Sequence, residues 1–467
     1  MNIIYFLSIL FVISSSFLPS IHAVESANRY HPHLQLPSYV GAHRGRVLAS
    51  TNFVEYADSA WDDSSKKTDL FGPADFNLKD SVASKSLLST DIGGAAYRPA
   101  LATTLAINGG LPNYDLVDLK FDVESTIRTT GTILSYHDQY SPASFCYSEQ
   151  ECKTSKVKKI LDQVKIRWGI DLPIMHVASL TLFDLNLQKS STTLFPVENS
   201  EIQNREDVEK LRLQIFKDSG ISGNVWEKTG LGDIDVYVGL QRHFDRRLRF
   251  KTIDISWIFG GIFSTGQKRD TTIVTSVPFG SEKHRVYSDL HIDLGLNYSW
   301  HAGIDMGIVL PATVCKNERI PAYKEHPMFS PLLIRTYHSQ AMTVKVAPFV
   351  RYKNFFEGVH ATMSYIYISH DKDLIMDART DKTVASLLTR QESGLVDNHE
   401  LAKAKKEFEE SIAWKNQSLR LSFTYDPEYK CAKKWYDPVV SFAFDTPRGG
   451  RNSLRSRRFS LSASLIF

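Results

Sequence analysis

A chain of 467 residues is long enough for one large domain or two to three ordinary ones. Hydrophobic residues make 42% and charged residues 23%, which excludes a disordered or fibrous chain, and a net charge of +3 gives no electrostatic case for a nucleic-acid partner. Four cysteines exclude a disulfide-built scaffold, and a mean hydropathy of −0.23 excludes only the helical kind of integral membrane protein, because a spanning barrel alternates apolar and polar positions.

The first element is apolar. Residues 3–18 are apolar or small, and the run closes at Ser20-Ile21-His22-Ala23 before the polar Val24-Glu25-Ser26-Ala27-Asn28-Arg29. About 16 such residues fall short of the ~20 that a spanning helix needs. The small Ala23 suits a signal-peptidase site, so residues 1–23 are expected to be an export signal. Residues 24–95 form a polar N-terminal segment, expected to be a plug or to hold a first strand near 46–56.

Beyond it the sequence falls into segments of alternating polarity, the period-2 mark of a strand with one apolar and one polar face. In chain order these are 46–56, 96–106, 116–128, 163–172, 175–187, 233–243, 250–263, 285–298, 301–310, 341–351, 358–369, 415–425, 438–445 and 458–467. In 116–128 the apolar set is Leu119, Phe121, Val123 and Ile127, against Asp118, Lys120, Asp122, Glu124 and Arg128. In 233–243 Ile234, Val236, Val238 and Leu240 oppose Asp233, Asp235, Tyr237 and Gln241. In 285–298 Leu290, Ile292, Leu294, Leu296 and Tyr298 oppose Asp289, His291, Asp293 and Asn297.

Short corners, such as Asp171-Leu172-Pro173 and Ser299-Trp300, alternate with long connections at 57–95, 129–162, 188–232, 264–284, 311–340 and 370–414, and a shorter one at 446–457. Residues 204–218 and 397–414, inside two of the long connections, carry apolar residues at helical spacing. Cys146 and Cys152 share a long connection and are expected to form a local disulfide in an exported protein. Cys315 and Cys431 fall at opposite ends of the strands, so no bridge between them is expected.

The chain ends with Phe459, Leu461, Ala463, Leu465 and Phe467 at every second position and Ser460, Ser462 and Ser464 between them. About nine to ten residues is also what a tilted strand needs to cross a bilayer. This pattern, with an aromatic as the final residue, resembles the closing strand of bacterial outer-membrane β-barrels. The resemblance implies that Phe459, Leu461, Leu465 and Phe467 act as an assembly signal toward the barrel-assembly machinery. The expected fold is all-β, an antiparallel up-and-down transmembrane barrel over residues 96–467, of about 12–16 strands and best fitted by ~14. It is expected in the bacterial outer membrane, surrounded by outer-membrane lipid, with long outer loops that carry short helices.

In such a barrel the polar sets line the pore. They comprise Asp118, Lys120, Asp122, Glu124, Arg128, Lys165, Arg167, Asp233, Asp235, Asp254, Asp289, His291, Asp293, Asp305, Lys345 and Arg420. Opposed rows of charge can set a transverse field across a wet pore or close it as a salt-bridge network. Arg448, Arg451, Arg455, Arg457 and Arg458 border the outer leaflet and read as contacts to anionic headgroups. His291 with Asp289 and Asp293, and His243 near Asp245, offer the spacing of a general base and its orienting carboxylate, but no nucleophile accompanies them. With no HExxH, G-x-S-x-G, Walker or dinucleotide motif either, no catalytic residue, metal site or cofactor is expected.

Gly230-Leu231-Gly232-Asp233, the strand to Leu240, the segment from Thr252 to Phe263 and Ser264-Thr265-Gly266 look like outer-membrane channels for hydrophobic compounds, over residues 228–310. The families meant are the aromatic-degradation-type and long-chain fatty-acid channels. The resemblance implies a channel that passes small molecules, hydrophobic ones among them, by passive or facilitated diffusion. The competing expectation is a non-transporting surface protein, with the same barrel filled and its long loops used for adhesion.

Overall fold

The computed structural model describes residues 46–62, 64–68, 70, 118–140, 164–188, 225–247, 250–270, 273, 276–281, 283–310, 312–319, 333–378, 412–426 and 437–466. Twelve strands close a ring. β1 (Val47–Trp61) pairs on one side with β3 (Asp118–Tyr140) and on the other with the last strand, β17 (Ser453–Ile466). Between them the ring runs through β4 (Val164–Gln188), β6 (Ile234–Arg247), β7 (Phe250–Phe263), β8 (Arg285–Gly295), β9 (Trp300–Val309), β12 (Thr343–Phe356), β13 (Val359–His370), β15 (Trp414–Tyr425) and β16 (Asp437–Arg451), antiparallel throughout. β2 (Lys67–Thr68) and β5 (Val225–Leu231) pair outside the ring with β1 and β4. β10 (Thr313–Arg319), β11 (Leu333–Ser339) and β14 (Leu374–Asp377) form a separate three-stranded sheet at the long-connection end. No described helix is long and apolar enough to cross a membrane.

The odd–even partition sets which way the wall faces. On β17 Phe459, Leu461 and Leu465 are exposed outside, and Ser462 turns inward to meet Thr51 of β1, hydroxyl to hydroxyl at 2.8 Å. On β6 Val236, Val238 and Leu240 are exposed while Asp235, Tyr237 and Gln241 are buried. An unpaired edge cannot sit in hydrocarbon, so the ring must be complete. The β17–β1 pairing completes it, running from Val47 opposite Ile466 to Trp61 opposite Ser453.

Three expectations are corrected here. The segments 163–172 and 175–187 are one strand, β4, and Asp171-Leu172-Pro173 is no corner. Pairing with β6 ends at Asp171 and pairing with β5 begins at Ile174, so Pro173 and its missing N–H fall at the changeover between two partners. The strands on either side of the connection 446–457 run further than expected, β16 to Arg451 beside β15 and β17 from Ser453 beside β1. They pair with each other only up to Asp445 opposite Arg458, and the chain reverses at Asn452, whose φ of 46° is the left-handed conformation that Asn tolerates. Finally, β3 runs on to Tyr140 and β4 starts at Val164, both at the end where β17 terminates, so the connection holding Cys146 and Cys152 leaves from the short-turn end.

Those two cysteines, the strand expected at 96–106 and most of the two helical segments lie outside the described residues; Trp414, at the end of the second, opens β15. With 163–187 merged and 96–106 set aside, the expected fourteen strands become the twelve of the ring. Cys315 lies on β10, an exposed thiol at the end of the barrel opposite to that where Tyr425 of β15 leads toward Cys431.

β3 and β4 are far longer than a crossing requires. They stay paired from Tyr140 opposite Ile166 to Asp118 opposite Gln188, whereas β1 leaves β3 at Ile127. At ~3.3 Å per residue the part beyond Ile127 is a two-stranded arm, and β5 lies along β4 from Ile174 to Leu180, between the last β4–β6 pair and the arm.

Candidate functional site on the inner face

The inner face is built from the polar halves of the twelve strands, and its charges are paired. Across the closing seam, Arg458 of β17 bridges two strands, with Nη2 3.1 Å from Glu55 Oε2 on β1 and Nη1 3.4 Å from Asp445 Oδ2 on β16. Arg420 of β15 grips the same Asp445 through Nε at 2.6 Å and Nη2 at 2.8 Å, the two-pronged geometry that suits guanidinium and carboxylate. One charge chain therefore links four neighbouring strands, and Arg458, Glu55 and Asp445 are all buried.

Opposite it, Asp293 of β8 accepts from Arg351 of β12 at 2.7 Å and pairs with His301 of β9 at 3.0 Å. His291 hydrogen-bonds Asp305 rather than Asp289 or Asp293, and its ring lies flat on Phe349, with centroids 5.4 Å apart and planes 2° apart. His243 sits between Asp254 at 2.6 Å and Asp245 at 3.0 Å. The register places Lys165, Arg167, Asp235, Asp289 and Lys345 on the same inward face.

Toward the long-connection end Tyr237, Ile262, Tyr287, Val309, Ala347, Ile366, Ile368 and Trp414 form an apolar cluster, with the buried carboxylates Asp171 and Asp235 in the row beside Ile262. Tyr237 hydrogen-bonds His137 across the wall. Glycine makes this possible: a Cβ on Gly169 would stand 2.5 Å from His137 Nδ1 and 2.7 Å from Tyr237, so the ring lies against bare backbone.

Several expected lining residues are elsewhere. On β3 the inward phase is Ser125, Ile127, Thr129, Ile133, Ser135 and His137, so Ile127 is inside and Arg128 is exposed outside. Asp118, Lys120, Asp122 and Glu124 stand on the arm beyond the last β1–β3 pair, where no ring encloses a pore. Asp233 is not a wall residue either: its carboxylate accepts from the N–H groups of Thr265 and Gly266 and from the N–H and hydroxyl of Ser281.

Thr265 Oγ1 donates to the Gly232 carbonyl at 2.7 Å, so Gly230 to Asp233 and Ser264 to Gly266 form one knot that ties the 264–284 connection to the rim. Asp233→Asn should loosen that knot and leave the ring intact. The expected result is faster protease cleavage within 264–284 with no loss of heat-modifiable migration on a gel.

Sequence reasoning missed Glu55, Asp445, Arg351, His301 and His137 as members of the charge network, and it set Arg458 toward lipid, whereas the side chain turns inward. The signal was present: Arg458 shares the phase of Ser460, Ser462 and Ser464, and that phase faces in.

A second cluster fastens the small sheet to the rim. His338 of β11 pairs through Nε2 with Asp373 Oδ2 at 2.5 Å and through Nδ1 with Glu318 Oε2 of β10 at 3.3 Å; Lys316 lies 3.0 Å from Glu318 Oε1. Asp373 also takes His370 Nε2 at 2.9 Å and the Ala341 N–H, and His370 Nδ1 meets Thr343 Oγ1 at 2.7 Å. Burial alone would lower the pKa of His338, but the hydrogen bonds to Asp373 and Glu318 outweigh it and push the value up to about 9. Burial would raise Asp373, yet its bonds to His338 and His370 hold it far below the usual carboxylate range.

A closed antiparallel ring with a greasy outer belt and a charged inner wall defines an outer-membrane β-barrel. Among solved structures, the COG4313 outer-membrane channel from Pseudomonas putida F1 is similar at 10% identity and a TM-score of 0.46, over 92% of this chain and 99% of that one. The transport unit of the autotransporter AIDA-I from Escherichia coli is similar at 7% and 0.34, over 93% of each chain. A Pseudomonas aeruginosa FadL homologue is similar at 8% and 0.29, over 91% of this chain and 90% of that one. No protein-family description and no curated protein sequence matches the chain.

Proposed function

We propose that the protein is an outer-membrane channel that passes small, partly hydrophobic solutes by passive or facilitated diffusion. The observation that supports this most is the make-up of the inner face, where an aromatic and aliphatic cluster at the long-connection end stands beside fixed charges, Asp171 and Asp235 at its own level and Arg351, Asp293 and Lys345 further along. A cluster of that kind gives weak, sequence-tolerant binding to an apolar body, and fixed charges orient whatever polar group it carries.

The test uses purified full-length protein in planar bilayers and in liposomes loaded for swelling. A small conductance is expected, with faster permeation of a small aromatic alcohol than of a sugar of similar mass. No conductance at any voltage and no permeation would sink the channel reading. A second reading has its own support. The inward charges at the seam are almost wholly enclosed, Arg458 at 2% exposure, as in a barrel filled by its own side chains with its outer connections used for contact. A stable but impermeable protein in both assays would favour it.

A further inference from the structure

We propose that Arg457 and Arg128, on the outside of the barrel at its closing seam, bind the phosphate of an outer-leaflet lipid headgroup, with Tyr56 between them. The register puts the three in one row on adjacent strands: Arg457 of β17 faces Tyr56 of β1, and Tyr56 faces Arg128 of β3. All three are exposed. Among the described residues neither arginine has an acidic partner, whereas the next residue, Arg458, turns inward to two carboxylates.

Their height follows from counting. About ten residues carry a tilted strand across the bilayer, and about ten separate the short-turn end of β17 at Ile466 from Arg457. The register gives Arg128 the same distance from His137, which lies opposite Val47. Both arginines therefore stand where hydrocarbon gives way to headgroups. Neighbouring strands lie ~4.8 Å apart, so the two backbones are roughly 10 Å apart across Tyr56, within reach of two long side chains that converge on one anion. Ala178 of β4, next in the row after Arg128, adds little bulk, and Glu227 of β5 beyond it lies 3.5 Å from His176. Two like charges held this close in a lipid-facing wall call for a counter-charge, and the planar guanidinium forks fit phosphate oxygens.

A lipid is favoured over free phosphate because the surface just below Arg457 is apolar. Val54 and Phe459 occupy the next row, with Thr130 on the β3 side, and Phe459 packs against Phe444 and Phe442 with ring centroids 4.7 Å and 6.3 Å away. Acyl chains would lie on those rings while the phosphate sits above them.

The test is native mass spectrometry of the full-length protein in non-ionic detergent, titrated with bisphosphorylated lipid A, with the same lipid enzymatically dephosphorylated, and with inorganic phosphate. Wild type should retain one lipid A, bind the dephosphorylated form at least tenfold more weakly, and lose no lipid to millimolar phosphate. Each single variant, Arg128→Ala or Arg457→Ala, should weaken lipid A by about tenfold, the size of one charge-assisted contact. Arg46→Ala at the opposite end, whose side chain pairs with Asp138 at 3.3 Å, should leave binding unchanged. If either alanine variant misfolds, the glutamine variants, which keep bulk and lose charge, replace it. Unaltered lipid A binding by the folded double variant would overturn the proposal, as would equal retention of the two lipids or displacement by inorganic phosphate.

Discussion

Replacing Arg458 with alanine is expected to cost the folded barrel about 3–5 kcal/mol, the penalty for removing one partner from a buried charge cluster. The loss should fall mainly on Glu55, because Asp445 keeps its two-pronged bond to Arg420 and Glu55 has Arg458 as its ion-pair partner across the seam. A second change, Glu55→Gln on top of Arg458→Ala, should therefore restore a substantial part of the stability, since neighbours in one network are not additive. Arg457→Ala, one residue along and facing out, should change stability by less than about 1 kcal/mol. Urea titrations followed by tryptophan fluorescence in detergent give all four midpoints. Equal midpoints for Arg458→Ala and wild type would mean that the seam is held by its backbone ladder alone.

Asp373→Ala should produce the second large effect, this time confined to one end of the molecule. It removes the acceptor shared by His338, His370 and the Ala341 N–H, leaving a protonated, buried imidazole with only Glu318 beside it. The three-stranded sheet is expected to come away from the rim while the ring stays folded. Hydrogen exchange should therefore rise across 333–339 and 374–377 and not across β12 or β13.

The pH dependence has a defined sign. His338 has its pKa raised to about 9, so its contribution is fully present below the unfolded value of about 6.5 and fades as pH climbs through 9. Asp373 is depressed, so its contribution is present above about pH 4 and fades as pH falls through its low folded value. Protection of 333–339 should accordingly be greatest between about pH 4 and 6.5 and be lost above pH 9. A profile that peaks on the alkaline side would contradict the charge assignment of this cluster.

How much of this could be read from residues alone depends on which solvent each stretch of wall faces. The rule that alternation means lipid on one side and water on the other placed the ring strands from β6 to β17 in order, short of the ends of β12, β16 and β17 and without β10, β11 and β14 in the small sheet, because a charge turned to hydrocarbon costs roughly 2–4 kcal/mol and fixes the phase. The same rule misjudged the end of 116–128, where Ile127 turns inward and Arg128 outward at the last pair that β3 makes with β1. Pro173 was misread for a related reason. A proline ends a strand only if a partner needs its N–H, and which partner lies alongside is a long-range fact.

The inner-face charges were recognisable as a group. Who pairs with whom was not, because Arg458 and Glu55 meet only through the join between the first strand and the last. The knot around Asp233 was half visible as a glycine motif, while its other half, Ser281, carries no mark in the sequence.

The hydroxyl pair of Thr51 and Ser462 spans 411 positions of the chain. Loop closure on that scale is slow and entropically demanding. The wall must therefore wait for its final residues before it can be sealed, and any nascent or clipped polypeptide lacking them carries two raw edges ready to stick to another copy. Interactions gathered at that join form late in assembly, so they should slow the opening of the finished molecule far more than they hasten its birth.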